Sequence, residues 1–208
     1  MKLGRRAVVA GVAGAVLAAR TARADDPVDA LFARVARARA SMRSLQGPFT
    51  QTRTIGLLST DVKSTGTLAL VRPDRLRWEL APPDSVVFWM LPDGLAYRSA
   101  QGTGRLPSAT PRIAAMLDDL RTLLGGDLNR LRSRWDLRVA RDDASGAELA
   151  ATARTSDAPL KSFSFALGSD LVRPVRALLV EGSHDRTAID FGALQVNAPI
   201  DDARMRAP

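Results

Sequence analysis

The order of apolar and polar residues divides the chain into two helical stretches set among many short strands. Asp25-Asp26-Pro27 reads as a helix start, with an acidic cap and a proline in the first turn. Val28, Leu31, Phe32, Val35, Met42 and Leu45 recur at helical spacing, so an amphipathic helix is predicted over 26–45, stopped by Gly47. From Pro48 the period becomes two. Phe49, Gln51, Arg53 and Ile55 share one side of a strand, and Val62, Ser64, Gly66, Leu68 and Leu70 share one side of the next. Leu76, Trp78 and Leu80 oppose Arg75, Arg77 and Glu79, and Ser85 to Leu91 is an apolar run around Phe88, predicted to be shielded on both faces. Pro92-Asp93-Gly94 marks a hairpin turn, and Leu95 to Ser99 returns from it. After a loop over 101–111, Thr110-Pro111 opens a second helix with the stripe Ile113, Met116, Leu117, Leu120, Leu123 and Leu124, stopped by Gly125-Gly126. A further helical turn fits 127–131, and strand patterns resume at 135–140, 148–153, 162–167, 172–180 and 187–194.

Short connections between successive strands force antiparallel neighbours. About ten such strands in a row suit a curved sheet or barrel, so a mostly β (α+β) fold is expected. A helix before the sheet and one inserted in its middle can both pack on the concave face and close an apolar interior. The residues expected to line it are Phe49, Leu68, Leu70, Leu76, Trp78 and Phe88 from the sheet, with Ile113, Met116, Leu117 and Leu120 from the inserted helix. The alternative is that these residues fill a solid core, which periodicity does not separate from a lined cavity.

The first residues change the reading of charge. Lys2, Arg5 and Arg6 precede Ala7 to Ala19, an apolar run of 13 residues, and Ala22-Arg23-Ala24 is a small-x-small cleavage site. The run is short of the roughly 20 residues that span a bilayer. Residues 1–24 therefore read as a signal peptide cleaved after Ala24, with 25–208 as one domain, and the Sec and twin-arginine routes both stay open. The net charge of +8 would suggest nucleic acid, but the leader carries five bases and no acid, and the remainder has 25 basic against 22 acidic residues. No nucleic-acid partner is expected. With no cysteine in the chain, no acyl anchor can be attached to one, so the exported product is expected to be soluble.

Catalytic chemistry finds little support. His184, the one histidine, lies in Ser183-His184-Asp185, and three consecutive side chains diverge too far to form a triad. Without cysteine and with one histidine, zinc would need mainly carboxylate ligands. Asp118-Asp119 reads as a solvated pair on a helix surface, and Asp142-Asp143 as a polar approach to a turn. The chain is read as a non-enzyme with no cofactor.

Four landmarks in order carry a family resemblance. The first helix runs into Ser44-Leu45-Gln46-Gly47-Pro48-Phe49-Thr50-Gln51; Gly66-Thr67-Leu68-Ala69-Leu70 leads into Arg72-Pro73-Asp74-Arg75-Leu76-Arg77-Trp78; Pro83 and Asp93-Gly94 follow; and 197–202 closes the chain. This ordered set resembles the LolA family of outer-membrane lipoprotein carriers. Leu95-Ala96-Tyr97, where the family often has tryptophan, and the segment 110–132 look like divergent LolA-like members. The resemblance implies an incomplete antiparallel barrel with a helical lid over an apolar cavity. It also implies a monomeric periplasmic chaperone that takes acylated lipoproteins from an inner-membrane transporter to an outer-membrane receptor. A LolA-like carrier of free lipid or glycolipid and a lipid-sensing periplasmic regulator are the alternatives. Arg72, placed before the proline, is by the same resemblance the residue that contacts the lid and gates it.

Overall fold

Asp26 caps the first helix by accepting the Val28 N–H, and Pro27 sits where no helical donor is required. The computed structural model describes residues 26–56, 60–92, 94–106, 111–182 and 185–208, with backbone alone at 106, 111–114 and 116–117. The expected signal peptide, the Asp93 turn position and His184 lie outside these residues. Helix α1 covers Pro27–Ala38 and is followed by β1 (Ser44–Ile55), β2 (Thr60–Val71), β3 (Arg75–Leu80), β4 (Val86–Leu91), β5 (Gly94–Ser99) and β6 (Gly102–Leu106). Helix α2 (Pro111–Gly125) and a 3₁₀ turn (Leu128–Ser133) come next. Then follow β7 (Trp135–Asp143), β8 (Gly146–Ala153), β9 (Ser162–Gly168), β10 (Pro174–Val180), β11 (Arg186–Phe191) and β12 (Gln195–Val196).

All strands join one antiparallel sheet in the order β6-β5-β4-β3-β2-β1-β11-β10-β9-β8-β7, with β12 added beside β1. The mostly β architecture expected from the sequence is present, with twelve strands among the described residues rather than about ten. β6 and β7 are the two edges, yet they are consecutive in the chain. The segment joining them has to cross the open side of the curved sheet, and α2 is that segment. With Leu120, Leu123 and Leu124 buried against the inner face, this connection makes α2 a lid.

The inner face carries one core. Val28, Leu31, Phe32 and Val35 of α1, Leu120, Leu123 and Leu124 of α2, and Leu68, Leu70, Leu76, Phe163, Phe165 and Ile189 of the sheet are all buried in it. Phe49 stacks on Trp78 with ring centroids 3.9 Å apart, and Phe191 meets Trp78 edge-on. Gly66 faces Phe49, and a Cβ there would sit 2.5 Å from its ring, so this crossing requires glycine.

Two element boundaries depart from the sequence reading. The first helix ends at Ala38, not at 45. Met42 and Leu45 are buried as the apolar spacing demands, but Met42 lies in a turn and Leu45 in β1. The competing partner is Asn197, whose Oδ1 accepts the Arg43 and Ser44 N–H groups while its Nδ2 donates to the Ser41 carbonyl. These bonds and the pairing of β12 on the start of β1 outweigh local helix propensity. The predicted loop at 101–111 contains β6, which its two glycines disguise; Gly104 lies against the Tyr97 ring, where a Cβ would clash.

The outer face of β3–β5 has a smaller core of its own, Val87, Trp89 and Ala96, covered by the C-terminal residues. Trp89 Nε1 donates to the Arg204 carbonyl at 2.9 Å, and the Arg77 and Arg98 guanidinium groups lie over its ring. The apolar run 85–91 is thus shielded on both faces, as its pattern requires.

Candidate functional site

Below α2 lies an inner cavity of about 220 Å³. Its walls combine Trp78, Leu80 and Phe88 of β3 and β4, Leu120 and Leu123 of α2, and Leu160, Phe163, Ala177, Leu179 and Ile189 from the far half of the sheet. Of the residues expected to line it, Trp78, Phe88 and Leu120 do so. Leu68, Leu70 and Leu76 do not: they are at most 1% exposed and pack as solid core. Phe49 is also buried, and it lies beside an outer groove instead. Ile113, Met116 and Leu117 fall on α2, but their side chains lie outside the described residues. The lining from β9–β11 was missed, although Phe163 and Phe165 alternate with serine and alanine and so mark an inward face.

One end of the cavity is polar. Gln51, Arg53, Glu181 and Thr187 complete its lining, with Arg53 Nη2 and Glu181 Oε2 3.8 Å apart. Along β1 the inward positions run Phe49, Gln51, Arg53, so the strand leads from apolar depth to a charged mouth. Asp119 also borders the cavity, from α2. Contrary to the sequence reading, it is buried rather than solvated, and it accepts bonds from Arg134 and from Trp135 Nε1. Burial raises its pKa, with Arg134 and Trp135 opposing the shift.

Among the described residues, Arg39 and Arg121 join Arg134 and Trp135 in holding the lid by directional bonds. Arg39, just after α1, is 2% exposed; its Nη1 donates to the Leu123 carbonyl of α2 at 2.8 Å, and its Nη2 to the Val172 carbonyl at 3.4 Å. Its Nε has no hydrogen-bond partner among the described residues. Burial first, then the neighbouring Arg72 charge, pushes the Arg39 pKa down to about 10, while Asp170 acts in the opposite sense. The group remains a cation at neutral pH. Arg121 adds a bond from α2 to the Asp74 carbonyl at 3.1 Å.

Among the described residues, Arg72 bonds to the turn after α1 and not to α2. Its Nη1 donates to the Arg39 carbonyl at 2.6 Å and the Met42 carbonyl at 3.2 Å. Arg72 therefore satisfies acceptors left at the end of α1, and the contact with α2 belongs to Arg39. The sequence signal for Arg39 is its place four residues after Val35, where an apolar residue would continue the stripe.

A second, larger hollow of about 950 Å³ lies on the outer side of the sheet. Pro48, Thr65, Glu79, Pro82, Val87 and Arg98 are among its lining residues. Among the described residues there is no cluster of acids and histidines able to hold a metal, and no helix is long and apolar enough to cross a membrane.

Residues 40–91 match the family model of the outer membrane lipoprotein carrier protein LolA. No curated protein sequence matches the chain significantly. Among solved structures, an uncharacterized conserved protein from Thermus thermophilus is similar at 9% identity and a TM-score of 0.55, over 87% of this chain and 94% of the other. A DUF1329 family protein from Desulfovibrio piger shows 12% identity and a TM-score of 0.52, over 87% of this chain and 98% of the other. MucB in the Pseudomonas aeruginosa MucA/MucB complex shows 18% identity and a TM-score of 0.50, over 86% of this chain and 60% of the other. At these identities the likeness is one of fold.

Proposed function

We propose that this LolA-like chain is a periplasmic carrier that shields the acyl chains of lipoproteins beneath α2 on the way from the inner to the outer membrane. The carrying observation is an apolar cavity closed by the one segment that the topology obliges to cross the open side of the sheet. An acyl chain gains about 0.8 kcal/mol per CH₂ on leaving water. It gains about as much in a bilayer as in a dry cavity, so a carrier must sit near balance with the membrane and open readily. At about 220 Å³ the cavity is smaller than ordinary ligand pockets, which run from about 300 to 1,000 Å³. Cargo therefore enters only as α2 moves outward. That movement breaks the Arg39 bond to Leu123 and exchanges apolar contacts with Leu120 and Leu123 for contacts with cargo. Arg39 takes the latch role that the resemblance assigned to Arg72.

Mass spectrometry of the exported protein purified without detergent tests the reading. Triacylated polypeptide bound in stoichiometric amount supports it, whereas diacyl lipid alone would make the chain a lipid carrier. The outer hollow favours a second reading, a regulator that docks a protein partner, since MucB is seen in complex with MucA. A bound polypeptide without acyl chains would favour that one.

A further inference from the structure

The polar mouth of the inner cavity carries one loosened ion pair, Arg53 and Glu181, beside the uncharged Gln51 and Thr187. Arg53 and Glu181 flank Thr187 across three adjacent strands, β1, β11 and the end of β10. Their charged atoms stand 3.8 Å apart, and the side chains are 52% and 34% exposed. This is longer than a charge-assisted hydrogen bond, so the pair is steered together without being locked. The remaining charge of the lining, Asp119, is already engaged by Arg134 and Trp135. Two further acids near this end are also bound: Asp84 accepts the Ser64 hydroxyl, and Asp185 accepts the Gly56 N–H. Among the described residues, Arg53 and Glu181 are thus the charged groups of the lining engaged with each other alone, at 3.8 Å.

We infer that the cavity mouth recognises a zwitterionic headgroup, with Arg53 receiving its phosphate and Glu181 its ammonium. The inference rests on one part of the carrier reading, the acyl-binding cavity under α2, and goes beyond it by naming a phospholipid as cargo of that cavity. A zwitterion can insert between the two side chains and replace one long contact by two short ones of correct sign. A purely anionic headgroup would satisfy Arg53 but leave its charge beside Glu181. A neutral headgroup would gain nothing from either. Apolar depth below and opposite charges above together suit a single-chain or diacyl aminophospholipid.

The test uses three soluble probes with one identical acyl chain: lysophosphatidylethanolamine, lysophosphatidylglycerol and a monoacylglycerol. Binding is followed by intrinsic tryptophan fluorescence, Trp78 standing in the cavity wall, with titration calorimetry as the independent measure. The wild type is expected to bind the zwitterion at least tenfold more tightly than the anion. Glu181→Gln should reduce that ratio to about two or less, and Glu181→Lys should invert it. Arg53→Gln should weaken both phosphate-bearing probes several-fold and leave the monoacylglycerol unchanged. Both side chains are partly exposed, so circular dichroism should report native folding for each variant. Equal affinity for all three probes would overturn the headgroup inference and leave the carrier reading intact. Saturable binding of none would overturn acyl binding under α2, the premise shared by the carrier reading and this inference.

Discussion

On the inner face of β3 and β4, Leu76, Trp78, Phe88 and Met90 meet the core and the space under α2 through apolar contact. On the outer face of the same strands, Arg77, Glu79 and Trp89 are fastened by directional bonds. Arg77 donates to Glu79 at 2.5 Å, Thr67 donates to Glu79, and Trp89 donates to the C-terminal segment. That segment is itself pinned by Asn197 on the turn before β1 and by Gln46 on the Pro199 carbonyl. Apolar contact is non-directional, so a lid can exchange it for contact with cargo at little net change. A hydrogen bond is not exchanged so cheaply, and on the inner side the buried ones described are the Arg39 and Trp135 bonds that hold α2 itself. The outer face is built as a frame, and the inner face as a surface whose partner can change.

Variants can break this contrast. The largest effect is expected for Leu76→Glu. Leu76 is fully buried away from the cavity, and an unpaired carboxylate there should cost more than about 4 kcal/mol. Thermal denaturation should show a chain that is largely unfolded, which marks Leu76 as core and not as cavity wall. Trp89→Ala should come next, at about 3–5 kcal/mol. The folded fraction should still bind a fluorescent fatty acid with unchanged affinity, since the outer frame does not touch the ligand.

Arg39→Met sharpens the contrast from the inner side. It breaks the bond to Leu123 but also removes a buried cation. The two effects oppose, so stability should move by no more than about 2 kcal/mol. Loading should nevertheless be several-fold faster in stopped-flow binding, because the latch on α2 is gone. Equal loading rates would return Arg39 to a packing role.

The smallest effect concerns Asp119. Its folded pKa lies above its unfolded value, so the folded state holds the proton more tightly, and this group favours folding increasingly as pH falls through the raised value. Denaturant titrations from pH 7 down to pH 4 should show the wild type gaining stability relative to Asp119→Asn. A constant difference across that range would contradict the assignment.

Much of this arrangement was legible before the structure. Alternation placed Leu68, Leu76 and Trp78 inward, and the helical stripe of 113–124 gave the inserted lid. What was hidden depended on partners distant in sequence. Met42 and Leu45 obey helical spacing, yet Asn197, more than 150 positions away, ends the helix before them. Trp89 looked like one more core residue because its cover comes from the C-terminal tail. Arg72 and Arg39 each present a guanidinium near the end of α1, and only the fold decides which one meets α2. The division between packed core and open cavity was the least legible part, since it depends on how the halves of the sheet curve toward each other.

The movement of α2 is the central claim, and a disulfide tests it most directly. The chain has no cysteine, so one introduced pair forms a single cross-link. A Cβ on Gly125 would lie 3.5 Å from Leu70 Cγ, the place a cysteine Sγ at position 70 would take, so Leu70→Cys and Gly125→Cys bring the two side chains together for a cross-link. The cross-link would pin the turn of α2 that carries Leu120 and Leu123. Equilibrium binding of a fluorescent fatty acid should be saturable in the wild type and in the reduced double variant, and lost or weakened at least tenfold in the oxidised form. Equal binding by the oxidised and reduced forms would contradict the account.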